Sequence, residues 1–161
     1  MGKQRSSLGR FARSFAKAVG GIALMLREPN ARIHVAALLT VAAFAFLGDL
    51  PPADWSVLVL TVGLVLALET LNTALEGYVD LAAPGRNDMA ARAKDAGAGA
   101  VLIAAVASVV VAALVFIPRF DAVLAGLGAA WLENRAVVLA YAAVTLGLLL
   151  SGILYRDKWP S

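Results

Sequence analysis

Glu69, Asn72, Thr73, Glu76 and Asp80 recur at spacings of three and four residues. On a helix turning about 100° per residue they fall on one stripe, which gathers three carboxyls, an amide and a hydroxyl. Glu28, Lys94 and Asp95 add a carboxyl, an ammonium and a further carboxyl from two other parts of the chain. These groups suit hard-cation chemistry: Mg²⁺ takes oxygen ligands and is commonly held by one or two carboxylates together with substrate phosphates. A lysine supplies a point charge for phosphate, and a carboxylate can take the proton of an attacking hydroxyl. A cation site, a phosphate clamp and a base are the parts that phosphoryl transfer needs. The common nucleotide loops are absent. No G-x-x-x-x-G-K-[ST] occurs, and neither Gly97-x-Gly99 nor Gly126-x-Gly128 has the strand-turn-helix setting of a dinucleotide loop.

The stripe sits in an unexpected place. It closes an apolar run from Trp55 to Leu68 that reads as a membrane span. A charged side chain in hydrocarbon costs about 2.5 kcal/mol or more, so a line of acids there marks a functional site. Asp80 alone would be explained by snorkelling at a helix end. The rest of the chain agrees with a membrane location. It has 161 residues, of which 61% are hydrophobic and 16% charged, with mean hydropathy +0.81, which indicates a polytopic all-α membrane protein. Cysteine is absent and histidine occurs once, at His34, which excludes disulfides, thiolate chemistry and His-rich metal sites. The net charge of +3 does not imply nucleic acid, because the basic residues form no continuous run.

Residues 1–8 are polar and read as a disordered tail, with no apolar stretch and cleavage site of a signal peptide. From Gly9 to Arg27, Phe11, Phe15, Val19, Ile22 and Leu26 share one face, while Arg10, Arg13, Ser14 and Lys17 share the other. This pattern predicts an amphipathic helix lying on an anionic membrane surface. Spans are expected at about 33–47, 54–81 and 95–117, with a polar loop at 82–93. A fourth apolar stretch at about 136–154 follows a short connecting segment containing Gly126, Gly128 and Trp131. Seven Lys and Arg precede the first span, three lie in the 82–94 region and two follow the fourth span, against Arg119 and Arg135 elsewhere. Twelve against two places both termini in the cytoplasm, and Glu28, Glu76, Asp80, Lys94 and Asp95 on that side.

The run Glu69-Thr70-Leu71-Asn72-Thr73-Ala74-Leu75-Glu76-x-x-Val79-Asp80 closely resembles the motif of the small bacterial membrane lipid kinases, the diacylglycerol and undecaprenol kinase family. Three further motifs match in order: Phe15-x-x-Ala18-x-x-Gly21, Glu28-x-Asn30-x-Arg32-Ile33-His34, and Ala93-Lys94-Asp95-x-x-Ala98-x-Ala100-Val101-Leu102. The resemblance covers about residues 11–118. It implies a surface helix with three membrane spans in a bacterial plasma membrane, and a homotrimer whose active sites are shared between protomers. It implies ATP as co-substrate with Mg²⁺, and a membrane lipid alcohol, undecaprenol or diacylglycerol, as acceptor. By position, Glu69 would be the general base, Glu28 and Glu76 the metal ligands, and Asn72 a neighbour of the transferring phosphoryl group and the lipid hydroxyl. Lys94 and Asp95 would serve the nucleotide, together with Glu28, Asn72 and Glu76. The Glu-x-Asn-x-Arg-Ile-His form resembles the undecaprenol branch more than the diacylglycerol branch.

The chain is therefore expected to divide into the tail, a kinase domain at 9–118, and an extension at 119–161 with no counterpart in the three-span core. Asn87 stands where the family commonly has a histidine, so it is assigned no nucleotide contact. Lys94-Asp95 would equally cap a helix, and Arg32-x-His34 would equally be an anchor at the interface. The acidic stripe by itself would also suit a small proton-coupled transporter with Glu69 as its carrier. Glu28 and Lys94-Asp95, which such a transporter does not need, favour the kinase.

Overall fold

The structure, a computed structural model, describes residues 7–85 and 87–155. Among these residues the secondary structure is helical throughout: α1 (Ser7–Met25), α2 (Pro29–Leu47), α3 (Pro52–Ala82), α4 (Asp88–Phe116) and α5 (Phe120–Leu154), with a 3₁₀ turn at Ile117–Arg119. Residues 1–6 of the expected tail lie outside the described residues, and Ser7 already belongs to α1.

Prolines and caps set the boundaries. Pro29 and Pro52 occupy the first positions of α2 and α3, where a fixed φ is suitable and the missing N–H is not needed. Gly48 ends α2 with its N–H donating to Phe44 O at 2.8 Å, and Asp49 takes a left-handed turn at φ 46°. Asn87 begins α4: its side chain accepts from the N–H groups of Met89 at 2.9 Å and Ala90 at 3.2 Å. α4 consequently starts at Asp88, a full turn or more ahead of the span expected from hydropathy alone.

The segment expected to connect the third and fourth spans is helical. α5 runs from Phe120 without a loop and bends at Asn134 (φ −154°, ψ 71°), whose side chain accepts from Val137 N–H and restarts the helix. Gly126 does not make a turn. It brings α5 against α2, where an added Cβ would collide with Leu47 O.

Four of the five helices form two antiparallel pairs. α4 runs back along α3, with Lys94 beside Asp80 at one end and Arg119 beside Asp54 at the other. α5 runs back along α2, with Gly126 at Leu47, Tyr141 donating to Leu39 O, and Gly152 at Pro29 and Ile33. α2, α3 and the run from Asp88 to Leu154 are each long and apolar enough to cross a membrane. Because that run reverses at the 3₁₀ turn, α4 and α5 supply one crossing each at 29 and 35 residues. The hydroxyls of Thr40, Thr61, Thr70, Thr73, Ser108 and Ser151 bond to carbonyls within their own helices, so they stay satisfied in hydrocarbon. On α1, Phe11, Phe15 and Ile22 lie exposed along one face, as a helix resting on a membrane requires.

The two pairs are joined at the end away from the acids. Ala45, Leu50 and Leu58 form a buried core there with Val41, Trp55, Val111, Val115 and Phe116. Phe44 packs edge-on to Phe116 at 5.8 Å, and Phe46 to Trp55 at 4.8 Å. At the other end the pairs separate, and the space between them holds the polar residues.

Candidate active site

α3 is 31 residues long, more than a crossing requires, so the stripe extends from within the span to its end. Glu69 is the deepest member and is 3% exposed, the single charged side chain among the described buried residues. Asn72 Nδ2 donates to Glu76 Oε1 at 2.8 Å, the i to i+4 geometry of neighbours on one helical face. Asn72 Oδ1 is buried without a hydrogen-bond partner. It lies over Gly97 of α4, so closely that a Cβ there would overlap it and come within 2.8 Å of Leu75 Cδ2. Gly97 thus lets α4 approach the stripe.

A cleft of about 340 Å³ opens between α2, α3 and α4. Its walls are Asn30, Ile33 and His34 from α2, Glu69, Asn72 and Glu76 from α3, and Ala98, Val101, Leu102 and Ala105 from α4. Polar groups therefore come from two helices and an apolar wall from the third. His34 Nε2 stands 3.8 Å from Glu69 Oε2. Glu28, just before Pro29, is held above its ordinary carboxyl value by burial and then by repulsion from the Glu76 carboxylate. Two carboxylates near enough to repel, with an unpartnered amide oxygen beside one of them, form a donor set of hard oxygens. No three His, Asp or Glu side chains among the described residues gather to enclose a metal unaided.

The expected site residues fall into two groups. Glu69, Asn72 and Glu76 converge in the cleft, and Glu28 faces Glu76 from the turn before α2. Lys94 and Asp95 do not line the cleft, which ends on α4 at Ala98. Lys94 Nζ instead pairs with Asp80 Oδ1 at 2.6 Å on the rim, and Asp95 is exposed one turn earlier than Ala98. Asn30 and His34 belong to the motif that follows Glu28, but the sequence alone assigns neither a role in the site. Their i, i+4 spacing after Glu28 carries the signal, since it puts both on the face that meets α3.

From His34 a largely apolar path leads towards the joined end. A small hollow of about 50 Å³ beneath His34 is lined by Leu38, Val62, Val65 and Leu66 among others. It adjoins a lateral groove of about 360 Å³ between α2 and α3, bounded by Leu38, Ala42, Trp55, Val59, Val62 and Leu66. His34 lines both the polar cleft and the hollow, and Leu38, Val62 and Leu66 line both the hollow and the groove, so the groove lies one step from the buried carboxylate's partner.

Comparison with known proteins identifies the chain's relatives. The profile of the prokaryotic diacylglycerol kinase family matches residues 16–116, ending where α4 ends. Undecaprenol kinase from Bacillus subtilis (strain 168) is 40% identical over 116 residues, which span 71% of this chain and 94% of the relative. A diacylglycerol kinase from Synechocystis is 41% identical over 107 residues, covering 65% of this chain and 61% of the relative. The diacylglycerol kinase of Escherichia coli (strain K12) is 38% identical over 76 residues, covering 47% and 62%. No solved structure matches the chain.

Proposed function

The chain belongs to the prokaryotic diacylglycerol kinase family, and from that premise we propose that it is a lipid kinase transferring the γ-phosphoryl group of ATP to the hydroxyl of a long-chain polyprenol such as undecaprenol. The observation that carries the reading is the position of Glu69, buried to 3% exposure in the polar cleft, beside His34 and one helical turn from Leu66, which lines the α2–α3 groove. A lipid alcohol reaching this point from the membrane would bring its hydroxyl to the carboxylate while its chain stayed among Leu38, Val62, Leu66 and Trp55.

Glu69 takes the hydroxyl proton as the lipid oxygen forms its bond to the γ-phosphorus. The bond from that phosphorus to the bridging oxygen breaks, and ADP leaves. His34 orients the Glu69 carboxylate from 3.8 Å. Asn72, tied to Glu76, presents its amide beside the transferring group. Glu28 and Glu76 would hold Mg²⁺, a role supported by the repulsion that Glu28 feels from Glu76 and by the unpartnered Asn72 Oδ1. Held there, the ion would neutralise charge on the phosphoryl oxygens. Lys94 and Asp95 serve the nucleotide from the rim. The cleft faces the cytoplasm, where ATP is available, in agreement with the concentration of Lys and Arg at that end. The working unit is a homotrimer in the bacterial plasma membrane, as the resemblance implies.

Polyprenol is favoured over diacylglycerol because the undecaprenol kinase relative is matched over nearly its whole length. The test is a panel of undecaprenol, a shorter polyprenol and diacylglycerol, supplied in lipid to the purified protein with labelled ATP. Faster labelling of the polyprenols is expected. Equal or greater labelling of diacylglycerol would overturn the branch, and no lipid labelling at all would overturn the kinase.

A further inference from the structure

The family profile ends at residue 116, so α5 (Phe120–Leu154) falls outside everything that the matched domain explains. Its position is informative. α2 packs far more extensively on α5 than on α3. Yet α2 carries Asn30 and His34 into the cleft, and the turn before it carries Glu28. The helix that brings half of the polar groups to the site is therefore supported from behind by α5.

Three contacts fix the register of this pair. At the far end Gly126 meets Leu47 O, in the middle Tyr141 donates to Leu39 O, and at the site end Gly152 meets the first turn of α2. Gly152 is buried. An added Cβ there would lie 2.7 Å from Pro29 O and 2.6 Å from Ile33 Cγ1. Pro29 O is backbone, and it follows Glu28 directly. Ile33 lines the cleft, and its neighbour His34 faces Glu69. A side chain at Gly152 therefore pushes the start of α2, which carries Asn30 and His34 and follows Glu28, away from α5. Close approach of two membrane helices through glycine is ordinary packing. Here it falls on the turn that carries site residues.

We propose that α5 is the positioning element for the site end of α2, with Gly152 as the contact that sets where Glu28, Asn30 and His34 stand relative to Glu69 and Glu76 on α3. This rests on the reading of the cleft as a kinase site. It also predicts which parameters change. Glu28 stands just before α2 and His34 on it, while Glu69 and Glu76 ride on α3, so displacing α2 disturbs both the Glu28–Glu76 pair and the partner of the base. KM for Mg-ATP and kcat therefore change together, and a misplacement of about 1 Å can cost a hundredfold in rate.

The experiment compares Gly152→Ala and Gly152→Leu with Gly126→Ala and Gly147→Leu in the full-length protein. Gly126→Ala crowds the same helix pair at its opposite end, and Gly147 has open space around it. KM for Mg-ATP is expected to rise and kcat to fall, each about tenfold, in Gly152→Ala, while both controls keep the wild-type values. Because the chain has no cysteine, spin labels can be placed specifically through Arg27→Cys and Ala91→Cys, both exposed and at the starts of α2 and α4. Their separation is expected to shift in Gly152→Ala and to stay constant in Gly126→Ala. If Gly152→Leu fails to fold, Gly152→Ala alone decides. An unchanged KM and label distance in Gly152→Ala overturns the proposal, as does an equal KM rise in Gly126→Ala. If the wild type labels no lipid, the kinase reading falls while the label distance still decides whether Gly152 sets α2.

Discussion

His34 Nε2 lies 3.8 Å from Glu69 Oε2, and this contact links the α2–α5 pair to the α3–α4 pair inside the cleft. Away from it the pairs are held together by the aromatic and aliphatic core around Ala45, Leu50 and Leu58. The buried carboxylate therefore has a polar neighbour supplied by a different helix, and its orientation depends on where α2 stands.

Glu69 and His34 should act as a unit. Glu69→Gln is expected to lower lipid phosphorylation by at least about 100-fold, the scale of a lost general base. It should fold at least as stably, since a buried charge is removed. His34→Ala is expected to lower kcat about tenfold, as loss of an orienting partner does. In the Glu69→Gln background, however, His34→Ala should cost nothing further. Single-turnover rates of the four proteins test this, and full additivity would detach His34 from the base.

Much of this site was legible from residue types alone. Acids in an apolar helix carry an energetic anomaly that needs no structure to notice, and their spacing fixed the shared face of Glu69, Asn72 and Glu76. His34 was harder. One histidine near a basic cluster reads equally as an interfacial anchor, and its partner lies 35 positions away in sequence. The pairing of Lys94 with Asp80 was hidden for the same reason, being a contact between neighbouring helices. The helical start of α5 was missed because Gly126 and Gly128 look like turn residues. Glycine also serves close packing, and only the position of Leu47 distinguishes the two uses.

Gly97 tests how tightly α4 must approach the stripe. A methyl there meets Asn72 Oδ1 and Leu75 Cδ2, so Gly97→Ala displaces the amide that is bonded to Glu76. A stability loss of about 1–3 kcal/mol is expected from overpacking, together with a larger fall in activity than Gly99→Ala, where nothing lies within 4 Å. Thermal unfolding in detergent and initial rates measure both. Equal effects at the two glycines would show that Asn72 tolerates displacement.

Asn87 should matter for the helix and not for the nucleotide. Its side chain accepts from two backbone N–H groups at the start of α4. Asn87→Ala is expected to destabilise by about 1 kcal/mol, and Asn87→Ser to restore most of that. KM for ATP should be unchanged in both. A raised KM in Asn87→Ser, with stability intact, would instead give this position a nucleotide contact.

Glu28 offers a pH-dependent reading of the carboxylate pair. Its carboxyl is held above the ordinary value of 4.5 by burial and by Glu76. The folded protein therefore binds the Glu28 proton more tightly than the unfolded chain does. By linkage, stability falls as pH rises from the ordinary value through the raised folded one, and remains lower above it. Glu28→Gln removes that contribution, so the variant should be the more stable at neutral pH, while the difference should shrink on acidification towards and below 4.5. Added Mg²⁺ stabilises whichever state binds it. It should raise the unfolding temperature of the wild type at neutral pH and do so less in Glu28→Gln. Unfolding temperatures at acidic and neutral pH, with and without the ion, check both expectations. A wild type that is the more stable protein at neutral pH without Mg²⁺ would mean that Glu28 already has a favourable partner in the fold, and that the repulsion from Glu76 is not what sets its charge.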